Sequence, residues 1–160
     1  MANRRSCVLS ILSTLVLALV LGTTLRAADN WVGTWKLNVA KSTYSPGPAP
    51  KSTTAKLEAW DGGLKSTSDG VGADGQPTHS EFAAKFDGKE YPYKGSANYD
   101  TISVKRIDDY SYEGVLKKQG KVMLTSKNVI SKDGKTRTQM QTGTDAQGRA
   151  VNNTQVWDRQ

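Results

Sequence analysis

Between Trp31 and Trp157 apolar and polar residues alternate in short runs, and Asp61-Gly62, Asp74-Gly75, Asp87-Gly88 and Asp133-Gly134 punctuate them. Alternation with period two marks a strand with one face turned inward. Asp-Gly supplies the positive φ angles of a two-residue hairpin turn, because Gly has no Cβ to clash and Asp tolerates the left-handed region. The pattern predicts ten strands, near 31–39, 51–60, 63–71, 77–87, 89–94, 100–107, 110–118, 121–131, 135–145 and 149–158. Turn signals recur about every 8 to 13 residues, too closely for crossovers, so each strand pairs with its sequence neighbour. The predicted fold is all-β, an up-and-down antiparallel β-barrel of about ten strands, closed so that no edge stays open.

Alternation also assigns faces. Trp31, Trp35, Leu37 and Val39 point inward, as do Ala55, Leu57 and Ala59, then Phe82, Ala84 and Phe86, then Ile102, Val104 and Arg106. Tyr110, Tyr112 and Leu116 follow, and then Val122, Leu124 and Ile130, with Met123 and Val129 making that strand ambiguous. The last two strands lack an apolar stripe: Thr138, Met140 and Thr142 alternate with Arg137, Gln139 and Gln141, while Asn153, Gln155 and Trp157 share a face. A packed sandwich needs apolar side chains on every strand, so this polarity suits a barrel with a partly wet interior. Two connections are irregular. Ala40 to Pro50 carries Pro46, Gly47, Pro48 and Pro50 and must be a stiff loop; Lys94 to Asp100 is a shorter turn.

Composition changes the picture at the N-terminus. Arg4 and Arg5 precede an uncharged, largely apolar run from Val8 to Leu21, followed by Ala27 and Ala28. That run is shorter than the roughly 18 to 20 residues needed to span a bilayer, so 1–28 reads as a secretory signal peptide. Residues 29–160 then form one barrel domain of an exported protein, periplasmic or secreted, with no stable membrane association after cleavage. An uncleaved anchor is the alternative. Cys7 is the single cysteine, so the mature chain holds no disulfide and depends on its core. Cleavage removes three arginines and no acid, lowering the formal net charge from +7 to +4. Scattered lysines of that modest excess make a solvated surface, not a nucleic-acid footprint.

The string Val32-Gly33-Thr34-Trp35-Lys36-Leu37 places a Gly-x-Trp motif at the start of the first strand, and Thr154-Gln155-Val156-Trp157-Asp158-Arg159 closes the chain. These resemble the opening of the calycin superfamily, meaning lipocalins and intracellular fatty-acid-binding proteins, and the closing strand of the latter branch. The chain also resembles exported bacterial lipocalin-like proteins of unassigned function, which share a Gly-Thr-Trp-Lys-Leu-Asn opening and a Pro-Gly-rich loop. The resemblance implies that Trp35 plugs the closed end of the barrel and that a ligand enters from the other. It also implies a departure. The helical lid of the fatty-acid-binding branch gives way to Ala40 to Pro50, and its carboxylate-holding Arg-x-Tyr pair is here Gln155 and Trp157. A Gln cannot neutralise a carboxylate, which weighs against fatty-acid specificity.

The interior is the candidate site, with Leu37, Phe82, Phe86, Ile102, Arg106, Tyr112, Gln155 and Trp157 as lining and Arg106 and Gln155 as polar anchors. Burying about 200 Å² of an apolar ligand is worth on the order of 5 kcal/mol at ~25 cal/mol/Å². Association entropy consumes much of that, which suggests micromolar affinity. Arg106 needs an anion if it lies inside; otherwise it turns to Asp108 or Asp109, or stacks on a Trp to seal the barrel end. Tyr44, Pro46, Gly47 and Pro48 form a candidate portal or interaction loop, and Tyr91, Tyr93 and Tyr99 fall near the irregular connections. His79 is the only histidine and has no cysteine beside it, a poor metal site. No nucleophile elbow, phosphate loop or Ser-His arrangement is present, so no catalytic residue and no cofactor is expected. The sequence therefore suggests a monomeric exported protein that binds a small, mostly apolar or amphipathic ligand inside the barrel. The alternative is an interaction or inhibitor domain with a filled barrel, using the 40–50 loop and exposed tyrosines.

Overall fold

The computed structural model describes residues 30–160, so the proposed signal peptide lies outside the described residues. Ten antiparallel strands follow in chain order: β1 (Gly33–Leu37), β2 (Ser52–Trp60), β3 (Gly63–Val71), β4 (Pro77–Lys85), β5 (Asp87–Lys94), β6 (Thr101–Asp108), β7 (Ser111–Lys118), β8 (Lys121–Ile130), β9 (Thr136–Thr144) and β10 (Ala150–Arg159). A single 3₁₀ turn, Val39–Lys41, is the only helix among the described residues. Each strand pairs with the next, and β1 pairs with β10, closing an up-and-down barrel.

The turns use their aspartates in two ways. Asp61 and Gly62 both have positive φ, 40° and 79°, as the two-residue hairpin demands. The other three pairs do not: only the glycine is left-handed, and each aspartate instead accepts a hydrogen bond from the backbone two residues on. That Asx arrangement fixes a turn through the side chain rather than through φ. A second tight two-residue turn, at Gln119-Gly120, carries no aspartate.

Most of the inward sets are buried; Phe82, Phe86 and Arg106 are half-buried, and four other residues depart from the pattern. Ala59 lies past the buried end of β2, near the hairpin, and is exposed. Tyr110 sits in the β6–β7 turn, and Val39 belongs to the 3₁₀ turn and only packs against the core from its edge. Val122 faces solvent because the β7–β8 register slips between Leu116 and Lys117. Leu116 pairs with Leu124 but Lys117 pairs with Val122, so Met123 is an extra residue. One inserted residue flips the alternation, which is why Met123 and Leu124 are both buried.

The core gathers at the end where β1 begins. Trp31 and Trp35 are fully buried there, the Trp35 indole donates to the Trp31 carbonyl at 3.0 Å, and Trp31 meets Tyr112 edge-on at 4.6 Å. Arg159 locks this end. Its guanidinium donates to the carbonyls of Gly134 at 2.6 Å, Val32 at 2.7 Å and Asn30, and lies 4.4 Å over the Trp35 ring. The barrel wall is thinnest between β4 and β5, where only Glu81↔Lys94 and Phe82↔Tyr93 are in register. Pro92 falls where the ladder would continue and has no N–H to give.

Gly33 is required by this lock: its φ is +145°, and an added Cβ would stand 2.6 Å from Arg159 Nη1. Gly33→Ala is expected to destabilise the fold by about 1–3 kcal/mol. The check is a lowered urea midpoint at unchanged slope; an unmoved midpoint would contradict the role given to Arg159.

Candidate functional site

Above the tryptophan plug the barrel encloses a cavity of about 220 Å³. Its floor is set by Leu57, Tyr112, Arg137 and Trp157, and its mouth by Tyr44, Pro50, Tyr93 and Tyr99 at the opposite end. Between them the wall is mixed: Leu37, Ile102 and Leu116 alternate around the barrel with Ser66, Ser68, Ser80 and Ser126. The inward residues of β9 are Arg137, Gln139 and Gln141, so the strand without an apolar stripe turns its long polar side chains into the lumen.

Arg137 is the central group. Only 4% exposed, it pairs across the sheet with Trp157 on β10 and with Ile130 on β8. Its guanidinium lies 4.5 Å over the Trp157 ring and 5.8 Å from that of Trp35. Burial lowers its pKa, and the Tyr112 hydroxyl opposes that shift by Coulombic attraction and hydrogen bonding. The same burial raises the Tyr112 phenol, with Arg137 working against it. An arginine stays protonated under such pressure, so a cation is held at the floor by ring faces and one phenol. Among the described residues no carboxylate forms an ion pair with it, and its Nε has no hydrogen-bond partner.

Two more buried polar atoms of cavity residues are unpartnered: Asn128 Oδ1 and Trp157 Nε1. Asn128 stands directly across from Tyr112, so the floor is a contiguous patch of Tyr112, Asn128, Arg137 and Trp157. Buried polar atoms without partners are rare in a native interior, which makes the patch a place for something else to bind.

Of the residues singled out from sequence, Leu37, Phe82, Ile102, Tyr112, Gln155 and Trp157 line the cavity. Phe86 and Arg106 do not. They lie at the closed end, with Arg106 stacked 4.2 Å over the Phe86 ring and Phe86 against Tyr112 at 5.6 Å. Trp35 is fully buried in the plug beneath the floor. Tyr44 borders both the cavity and an outer cleft of about 470 Å³, and Pro46, Gly47 and Pro48 border the cleft alone. That loop is fastened to β10: Thr43 bridges Thr154, Asn152 donates to the Ser45 carbonyl at 2.9 Å, and Ser45 donates to Asn153 Oδ1 at 3.0 Å. Gln139 and Arg137 escaped the sequence reading, although counting inward from Trp157 across the last hairpin would have placed Arg137 on the lumen face.

The chain matches no protein-family model and no curated protein. Among the described residues no group of three or more His, Cys, Asp or Glu is placed to hold a metal ion.

Burial pushes the phenols of Tyr44 and Tyr99 at the mouth up to about 12 from the ordinary 10.0. Because the folded values exceed the unfolded ones, their contribution to stability is complete below about pH 10 and is lost as pH rises towards about 12. Tyrosinate absorbance should show Tyr44 and Tyr99 titrating late, together with Tyr91, Tyr93 and Tyr112, whose phenols are raised too, with stability falling over the same window. Titration of all six tyrosines near the ordinary value would show an open, hydrated mouth instead.

Proposed function

We propose that this chain is a calycin-like carrier, exported after loss of its leader, that acts as a monomer and holds a small amphipathic acid inside its barrel. It acts by binding, with no cofactor and no catalytic group. The observation that carries this reading is Arg137, a buried cation without a carboxylate partner among the described residues, at the floor of a cavity that opens past Tyr44 and Tyr99. A charge so placed costs several kcal/mol in desolvation unless an anion meets it. An incoming carboxylate supplies that anion, and charge-assisted bonds to a guanidinium are the strong kind. Leu37, Ile102, Phe82 and Leu116 offer the ligand's apolar part a surface of its own. The anionic anchor is thus assigned to Arg137, and Arg106 serves the closed end as a strut on Phe86.

Phenylacetate and its neutral isostere phenylacetamide test the reading by calorimetry. The wild-type protein is expected to bind the acid at least about tenfold more tightly, matching the ~1.5–3 kcal/mol of a hydrogen bond to a charged group. Arg137→Met should erase that preference, at a stability cost of about 1–3 kcal/mol for the Tyr112 hydroxyl left without its partner, and a melting curve confirms that the variant is folded at the temperature of the titration. Arg106→Met should leave the preference intact. Equal binding of acid and amide by the wild type, or no binding of either, would overturn the assignment.

A further inference from the structure

The polar groups around Arg137 ask for more than a carboxylate. Asn128 is 1% exposed, and its Nδ2 donates to Ser126 Oγ at 3.3 Å. The Ser126 hydroxyl gives its own proton to the Gly114 carbonyl at 3.4 Å. With that proton committed, the amide must face Ser126 with its NH₂, which leaves Oδ1 as a buried acceptor that needs a donor. Asn128 pairs with Gln139 on β9, and Arg137 with Ile130, so Asn128 and Arg137 are diagonal neighbours on the lumen face. Such neighbours lie about 7–8 Å apart, within the span of one small molecule. Trp157 Nε1, across from Arg137, adds a second buried donor without a partner.

An unsubstituted acyl chain could satisfy the donors but not the acceptor. Its carboxylate would meet Arg137 and Trp157, while its methylenes would press against Asn128 Oδ1 and the serine hydroxyls above. Burying a polar atom against hydrocarbon costs about 1–3 kcal/mol, so such a ligand is penalised. The cavity is also small, holding the volume of about seven liquid waters at ~30 Å³ each.

We propose, on the reading that the barrel interior is the binding site, that its ligand is a compact hydroxy acid of sugar-acid size. Its carboxylate lies against Arg137 and Trp157 Nε1, and a neighbouring hydroxyl donates to Asn128 Oδ1. Further hydroxyls find Ser66, Ser68, Ser80 and Gln139 along the wall. Two fixed polar points and an apolar wall define a handed site, so the hydroxyl-bearing carbon is read by configuration as well as by composition.

The probes are D-mandelate, L-mandelate and phenylacetate, which differ only in the α-hydroxyl and its configuration. Calorimetry on the full barrel is expected to show one mandelate enantiomer binding at least about tenfold more tightly than phenylacetate, because a site built to bond a hydroxyl rejects the analogue lacking it. Asn128→Leu should abolish the difference between the enantiomers while phenylacetate still binds through Arg137. If both enantiomers and phenylacetate bind alike, Arg137 anchors an acid but Asn128 is satisfied by water, and the hydroxy-acid proposal falls while the carrier reading stands. If none binds, both fall. The enantiomer comparison is made on the wild-type protein, so it holds even where Asn128→Leu fails to fold.

Discussion

The architecture hangs on the grip of Arg159 at the end of the chain. A cylinder of hairpins closes only if its last strand finds its first, and only three residue pairs join β1 to β10. The guanidinium extends that short seam by collecting three backbone carbonyls from the N-terminal segment and the β8–β9 turn. It also covers the Trp35 ring, so one side chain seals the end and fixes the plug against which the core packs. Gly33 is the complement of this contact, absent a side chain where the arginine passes. The Gly-x-Trp motif and the terminal Asp158-Arg159 are thus two halves of one joint.

That joint makes a hollow interior tolerable. Trp31, Trp35, Leu57, Leu64 and Ile130 concentrate the apolar burial at one end, and the lumen above can then carry serines and glutamines, with the Arg137 guanidinium at its floor. Two arginines flank Trp35, and their surroundings differ. Arg159 spends all three of its nitrogens on carbonyls, whereas Arg137 reaches the lumen with an unpartnered Nε and aromatic faces for company. The first is a structural bond already made, the second a bond held open.

The strand layout was legible because period-two alternation and turn residues act locally, and the ten elements fall within a few residues of their expected positions. Face assignment failed where the ladder is irregular. The extra residue at Met123 turned Val122 outward, and no pattern within β8 alone reveals a slip that only its pairing with β7 defines. Arg106 shows a second limit. It shares a face with Ile102 and Val104, but one face runs from the cavity to the closed end, and parity does not say how far along the axis a residue sits. The wetness of β9 and β10 was visible, yet which of two polar faces turned inward depended on the register with Trp157. Six of the eight residues expected inside line the cavity, and the one with the strongest chemistry, Arg137, lay on a strand that offered no apolar marker.

The two-pair ladder between β4 and β5 carries a consequence for exchange. Phe82 borders both the lumen and an outer groove floored by Trp60 and Tyr91, so at this point one ring separates the interior from bulk water. The mouth, by contrast, is riveted to β10 through Thr43 and Ser45. Local opening is cheapest where fewest backbone bonds must break, so this seam, bridged by the stack of Phe82 on Tyr93, is the weakest stretch of the wall. The molecule behaves less like a cup with a rim than like a barrel with one loose stave.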